Sequence, residues 1–321
     1  MKIWKTAFAA VVASVFAISA AWGQGYPNRP IKIVVPFAPG GSTDIIGRLA
    51  ADQLSRDLGQ PVIVENVGGA AGALGTMQVD RANPDGYTLA IATVSTMVVY
   101  QSAKPKPEYS VNNFAPITNI ASMPNVLSVG PTIKAKDLKE LIALLKANPG
   151  KYTFATSGIG SINHLLGESF QAYAGVKLVH VPYKGSGPGM QDVMAGQVDM
   201  VFDQFPSSKG SIDGGKLRAI GIISPQRVPG YNVMTMEEAG LKGFTDEAWY
   251  GLLAPGKTPP DVVAKLGEAM KKVIANPEFR AKVEKIGARP VGNSPSEFKA
   301  QIQQEVERTK KLVKERNIKF E

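Results

Sequence analysis

A short β-branched run, a loop of glycine and hydroxyl residues, and an amphipathic helix follow one another twice in this chain, at residues 31–58 and again at 152–174. In the first copy Ile31–Val35 reads as a strand. The segment Pro36–Asp44 reads as the loop, and Thr43–Leu58 as a helix with Ile46, Leu49, Ala50, Leu54 and Leu58 along one side. Pro61–Glu65 follows as another strand. Such a strand–helix–strand unit makes its strands parallel and covers the sheet's faces. In the second copy Tyr152–Thr156, Ser161–Ala174 and Leu178–Val181 repeat the order. Two such units predict an α/β fold of two similar lobes, with ligand chemistry at the carboxyl ends of the strands.

The remaining pattern fits that plan. Tyr87–Thr93, Val198–Phe202 and Leu217–Ile223 read as strands, and Val126–Gly130 opens a second strand series. Asp137–Ala147 is an amphipathic helix that stops at Asn148-Pro149-Gly150. Three helices close the chain: Pro259–Ala275, Pro277–Ile286, and one opened by the capping-box residues Ser294 to Glu297. Lobe connections are expected near Ala121–Asn125 and Asp246–Gly251, where they act as a hinge. Lobe 1 is then 24–122 with 247–321, and lobe 2 is 123–246.

Residues 1–23 fall outside this plan. Lys2 and Lys5 precede an uncharged run from Ala7 to Ala21, and small residues follow at Ala21 and Gly23. The run is shorter than the roughly 20 apolar residues of a membrane span, so it reads as a signal peptide cleaved near Gly23, with a periplasmic mature protein. The 321 residues contain no Cys, which excludes a disulfide framework and a lipid-anchored cysteine. Removing Lys2 and Lys5 takes the formal charge from +9 to +7, a mild preference for anions. The basic run Lys310–Arg316 sits in a helical pattern with no nucleic-acid motif beside it.

The chemistry is expected in the two loops. Gly40 and Gly41 allow a sharp turn and close approach to a ligand, and Ser42 or Thr43 caps the helix that follows. The second loop, Ser157-Gly158-Ile159-Gly160-Ser161-Ile162-Asn163-His164, has the same design. Free N–H groups at a helix start favour an anion, so two such loops suit one acid group gripped from both sides, or a dicarboxylate. Neither loop is a nucleotide motif: no Gly-Lys-Ser/Thr ending follows, and Asn163 stands where a dinucleotide fingerprint needs its third glycine. Two histidines and no Cys, without metal spacing, predict no metal and no cofactor.

These residues resemble the solute-binding proteins of tripartite tricarboxylate transporters, the Bug or TctC-type family. The likeness runs through Tyr26–Ile31, the Pro36–Asp44 loop, Asn83–Leu89, the Ser157–His164 loop, His180–Gly185, Gly196–Asp199 and Trp249–Leu252 ahead of Ala254-Pro255-Gly256, in the family's order. The resemblance implies a two-lobed, type II-like binding-protein fold, each lobe a mixed β-sheet flanked by helices. It also implies a small organic acid as ligand (a dicarboxylate, an aromatic acid or an acidic amino acid), inner-membrane transporter subunits as partners, and a monomer that does not bind nucleic acid. Carried over from the family, the carboxylate is held by Gly40, Gly41, Ser42 and Thr43 on one side and by Ser157, Gly158, Gly160 and Ser161 on the other. Asp203 faces the cleft, and Phe37 and Tyr183 wall it. His164 steadies the second loop. Two other readings stand beside this one: a ligand-presenting partner of a membrane sensor, and a hydrolase using Ser161 with His164, for which no Gly-x-Ser-x-Gly elbow exists.

Overall fold

The computed structural model describes residues 25–103 and 106–320, so the expected signal peptide lies outside the described residues. The chain runs β1 (Ile31–Val35), α1 (Ser42–Leu58), β2 (Val62–Asn66), α2 (Ala73–Asp80) and β3 (Thr88–Thr93). A π-helical turn, Ser95–Val99, leads into the short α3 (Tyr100–Ala103). Then come β4 (Phe114–Val129), α4 (Leu138–Ala147), β5 (Thr153–Thr156), α5 (Ile162–Ala174), β6 (Val179–Pro182) and α6 (Ser186–Met194). Next are β7 (Met200–Gln204), α7 (Phe205–Asp213), β8 (Arg218–Ile223) and β9 (Glu247–Pro255). The chain ends with α8 (Pro260–Ala275), α9 (Pro277–Lys285), β10 (Arg289–Pro290) and α10 (Pro295–Glu315).

Both repeated units form as the hydrophobic pattern requires. β1 lies parallel to β2 and β3, and β5 lies parallel to β6 and β7. An antiparallel strand extends each sheet: β9 beside β3 in the first, β4 beside β7 in the second. The result is the expected two-lobed α/β fold with a mixed sheet in each lobe.

The strand that joins the sheets corrects the sequence reading. Val126–Gly130 is not where a strand begins; β4 starts at Phe114 and runs for 16 residues. As far as Pro124 it pairs with β9, and from Asn125 it pairs with β7 and β8. Pro124 sits where the ladder changes partner, a place that tolerates its missing N–H. The segment Asp246–Gly251 likewise proves to be mostly strand, since β9 starts at Glu247 and pairs there with Pro124. The two segments are therefore antiparallel strands that run side by side.

Four helices were not anticipated: α2, the short α3, α6 and α7. Gly187, Pro188 and Gly189 give α6 poor intrinsic propensity. Packing selects it instead, because a Cβ on Gly189 would lie 2.9 Å from the Tyr183 ring.

Candidate functional site

Four helices, α1 from the first half of the fold and α5, α6 and α7 from the second, begin around one small space between the sheets. α1 begins at Ser42 after an N-cap of Gly41, so neither Ser42 nor Thr43 is the cap that was expected, and the N–H groups of Ser42 and Thr43 have no side-chain cap. α6 begins after Gly185 and α7 after Gln204, also without caps from their own N-cap residues. α5 is capped by Ser161, whose Oγ accepts from His164 N at 3.2 Å.

The two expected loops use the same internal brace. In the first, Gly40 N donates to the Asp44 carboxylate at 3.2 Å; in the second, Gly160 N donates to His164 Nδ1 at 3.2 Å. In each case the acceptor lies four residues on, in the first helical turn. Burial pushes the Asp44 carboxyl up, but bonds from Arg48, Asn66 and Gly40 outweigh it and hold its pKa below the usual value. Gly40 has φ +88, a left-handed conformation that favours glycine, whereas Gly41 has an ordinary φ of −83.

A stack of rings backs the second loop. His164 lies 3.9 Å from His180, nearly parallel, and Phe154 covers His180 at 5.0 Å. Burial, with His180 adding, pulls the His164 imidazole down to about 3; burial pulls His180 down to about 4. Both are neutral near pH 7. Nδ1 of His164 accepts from Gly160, which leaves the ring proton on Nε2, 3.7 Å from Glu168. That ring accepts from a backbone amide rather than from the Ser161 hydroxyl, so the pair lacks the nucleophile–base bond that hydrolysis uses.

The central space has a volume of about 10 Å³ and is lined by residues of both sheets, room for about one water. Of the residues singled out in the sequence, Phe37, Gly41, Thr43 and Ser157 line it; so do Thr93, Ser95, Asn163, Ser186, Gln204, Trp249 and Tyr250. Among the described residues none of the lining side chains carries a charge. Bonds across the space shut it. Ser207 N donates to Ser42 Oγ at 3.0 Å, and Ile162 N to Ser95 Oγ at 3.0 Å. Each is an orphan donor of a helix start capped from the opposite sheet. Tyr250 OH donates to Gln204 at 3.0 Å, and Ala38 N to Lys184 O at 3.3 Å.

Other expected residues sit further back. Asp203 is fully buried and accepts from Ser207 Oγ and from Ser208 Oγ, the latter at 3.1 Å; burial raises its pKa against those bonds. Gly158 N bonds Thr156 Oγ1 at 3.2 Å, inside its own loop. Tyr183 donates to Asp192 at 2.5 Å and lines a shallow outer groove with Gly158 and Ala70, not the central space. Ser186 had a legible signal in the Gly185–Gly189 run. Thr93 and Ser95 had none beyond ending a strand and following it.

A family model described as "Tripartite tricarboxylate transporter family receptor" matches residues 46–318. Protein BugT of Bordetella pertussis is 36% identical over 298 residues, 92% of this chain and 91% of that protein. A Rhodopseudomonas palustris protein solved with adipate superposes with a TM-score of 0.89 at 31% identity, covering 92% of this chain and 99% of that one. MatC of the same organism, solved with bound malate, gives 0.86 at 33% identity over 90% and 100%.

Proposed function

Because this chain belongs to the tripartite tricarboxylate transporter receptor family, we propose that it is a periplasmic solute-binding protein whose central space takes a small organic acid, best a dicarboxylate, for delivery to inner-membrane transporter subunits. The observation that carries this reading is the convergence of the α1, α5, α6 and α7 starts on one cavity whose lining has hydroxyls and amides but no charge. Helix N-termini favour an anion there, and they leave a binding protein free of a committed counter-ion. The relatives solved with adipate and malate give the ligand class its chemical content.

Lobe 1 comprises 24–122 and 247–321, and lobe 2 comprises 123–246. β4 and β9, paired at Pro124 and Glu247, form the hinge. The cavity of about 10 Å³ is far too small to admit a dicarboxylate from outside, so entry requires the lobes to part. Gly41, Ser42, Thr43 and Ser157 meet the ligand; Gly40, Gly158, Gly160, Ser161 and His164 hold the loops that present them; Asp203 fixes the start of α7, Phe37 walls the cavity, and Tyr183 closes its outer edge. The protein acts as a monomer, after cleavage of its signal peptide near Gly23, and carries out no chemistry on its ligand.

The test uses a feature of the chain itself. Trp4 and Trp22 fall in the leader, so Trp249 is the one tryptophan of residues 24–321, and it lines the cavity. Titration of the mature protein with adipate and with malate should change its emission saturably. Failure of both acids to do so at millimolar concentration, in protein freed of co-purified ligand, would remove the dicarboxylate reading.

A further inference from the structure

A second cavity lies on the opposite side of the hinge strands. It has a volume of about 510 Å³ and draws its walls from both halves of the chain, with Ser122–Pro124 and Glu247 of the crossing strands among its lining. The size is ordinary for a small-molecule pocket. Its body is apolar: Phe205, Val228 and Tyr231, with Phe205 and Tyr231 edge-to-face at 4.8 Å. Its rim carries Lys209, Arg227, Lys285 and Arg289 against Glu247 and Glu284. Both glutamates already lie beside cations, Glu247 with Arg289 at 3.3 Å and Glu284 with Arg280 at 3.6 Å. Arg227 pairs with Glu238 and Lys209 with Asp213. Among the described residues no ion pair engages Lys285.

The two cavities share one turn of helix. At the start of α7, Gln204 lines the front cavity and Ser207 N bonds Ser42 across it, while Phe205 and Lys209 face the rear one. Phe205 also packs on Gly287 from the other sheet, so closely that a Cβ there would lie 2.6 Å from its ring. The rear cavity, built from both halves, is thus present in the same structure in which the front one is shut.

We propose that this rear cavity is a second ligand site, for an aromatic organic anion, whose occupancy favours the closed front. The ring lies against Pro124, Pro229 and Tyr231, the accessible apolar residues of the lining, and the anionic group meets Lys285, joined by Arg289 in exchange for its pair with Glu247. A ligand bound better by one of two conformations shifts the balance toward it.

The probe is naphthalene-2-sulfonate, an aromatic anion without a carboxylate, titrated calorimetrically into the mature protein. Saturable binding at one equivalent is expected, weakened at least 10-fold by Lys285→Glu combined with Arg289→Glu. Both side chains are exposed, and thermal unfolding of the double variant should match the parent. Saturating probe, with no front ligand, should also reduce the radius of gyration in small-angle scattering. Absence of saturable binding, indifference to the charge reversal, or an unchanged radius would each overturn the proposal. None of these measurements needs a front ligand, so their outcome is separate from that of the dicarboxylate titration.

Discussion

Adding a single methyl group at Gly187 separates closure from every other property of the molecule. A Cβ built there lies 2.8 Å from the carbonyl oxygen of Pro39, across the front cleft. The clash exists only when the lobes are shut, since Pro39 and Gly187 belong to opposite halves of the fold. Backing off by a few tenths of an ångström would stretch the neighbouring Ala38 N–Lys184 O bond, already 3.3 Å. Overpacking of this kind costs about 1–3 kcal/mol, and at about 1.4 kcal/mol per decade the affinity should fall ~5- to 150-fold. Gly187→Ala should therefore weaken whichever of adipate or malate binds better, followed by Trp249 emission, while the ligand-free open form should be no less stable to heat than the parent, since alanine is the better helix former. In scattering, the liganded variant should stay larger than the liganded parent. Parent-like affinity with full contraction would refute the idea that these loops meet in the bound state.

Two further outcomes follow from buried groups. His164 and His180 have folded pKa values below the ordinary 6.5, so below pH 6.5 the unfolded chain takes up protons that the folded one refuses. Each histidine should then remove roughly 1.4 kcal/mol of stability per pH unit between pH 6.5 and about 4. The buried carboxyls of Asp203, Asp246 and Glu305, whose pKa values are raised, act in the opposite sense, so the difference between parent and His180→Gln in urea unfolding at pH 7 and pH 5 is the quantity to read; an equal pH slope in both would contradict the stacked neutral pair. Trp249 Nε1 donates to Glu305 at 2.7 Å, and Glu305→Leu, which strands that buried donor, should cost about 1–3 kcal/mol, whereas Glu305→Gln, which keeps an acceptor, should cost less; equal costs in urea unfolding would argue against the bond.

The parts of the site that could be read from sequence are those specified locally. Gly40-Gly41-Ser42-Thr43 and Ser157–Ser161 announce helix starts because small and hydroxyl residues before an apolar periodic run have few other uses. Their internal bracing was hidden, because a glycine N–H looks free until the residue four positions on folds back as Asp44 or His164. The far wall was hidden for a different reason. Trp249 and Tyr250 reach the cavity through antiparallel register, Tyr250 opposite Thr93 and Trp249 opposite Ser122, and no local pattern encodes pairing across more than a hundred residues. The strand β4 was half seen because the apolar run after Asn125 is the more continuous part, while Pro116 and Pro124 interrupt the rest.

The shut front cavity raises the question of what keeps a ligand-free molecule from closing on nothing. The four cross-cleft bonds replace bonds to water in the open form, so each nets about 0.5–1.5 kcal/mol, roughly 2–6 together. Bringing two jointed lobes into register restricts the hinge and orders the Ser42, Ser95, Gln204 and Tyr250 side chains, at about 0.5–1.5 kcal/mol for each mobile one. These terms nearly cancel, which places open and closed states within a few kcal/mol of each other. An anion that accepts from the uncapped starts of α1 and α6 adds bonds to a charged group at about 1.5–3 kcal/mol each, available only when both lobes reach it. A cavity lined with arginine would hold its ligand more strongly but would carry unpaired buried charge whenever it emptied. Uncharged donors at helix starts avoid that penalty, and they let the same molecule close on its ligand and open to release it.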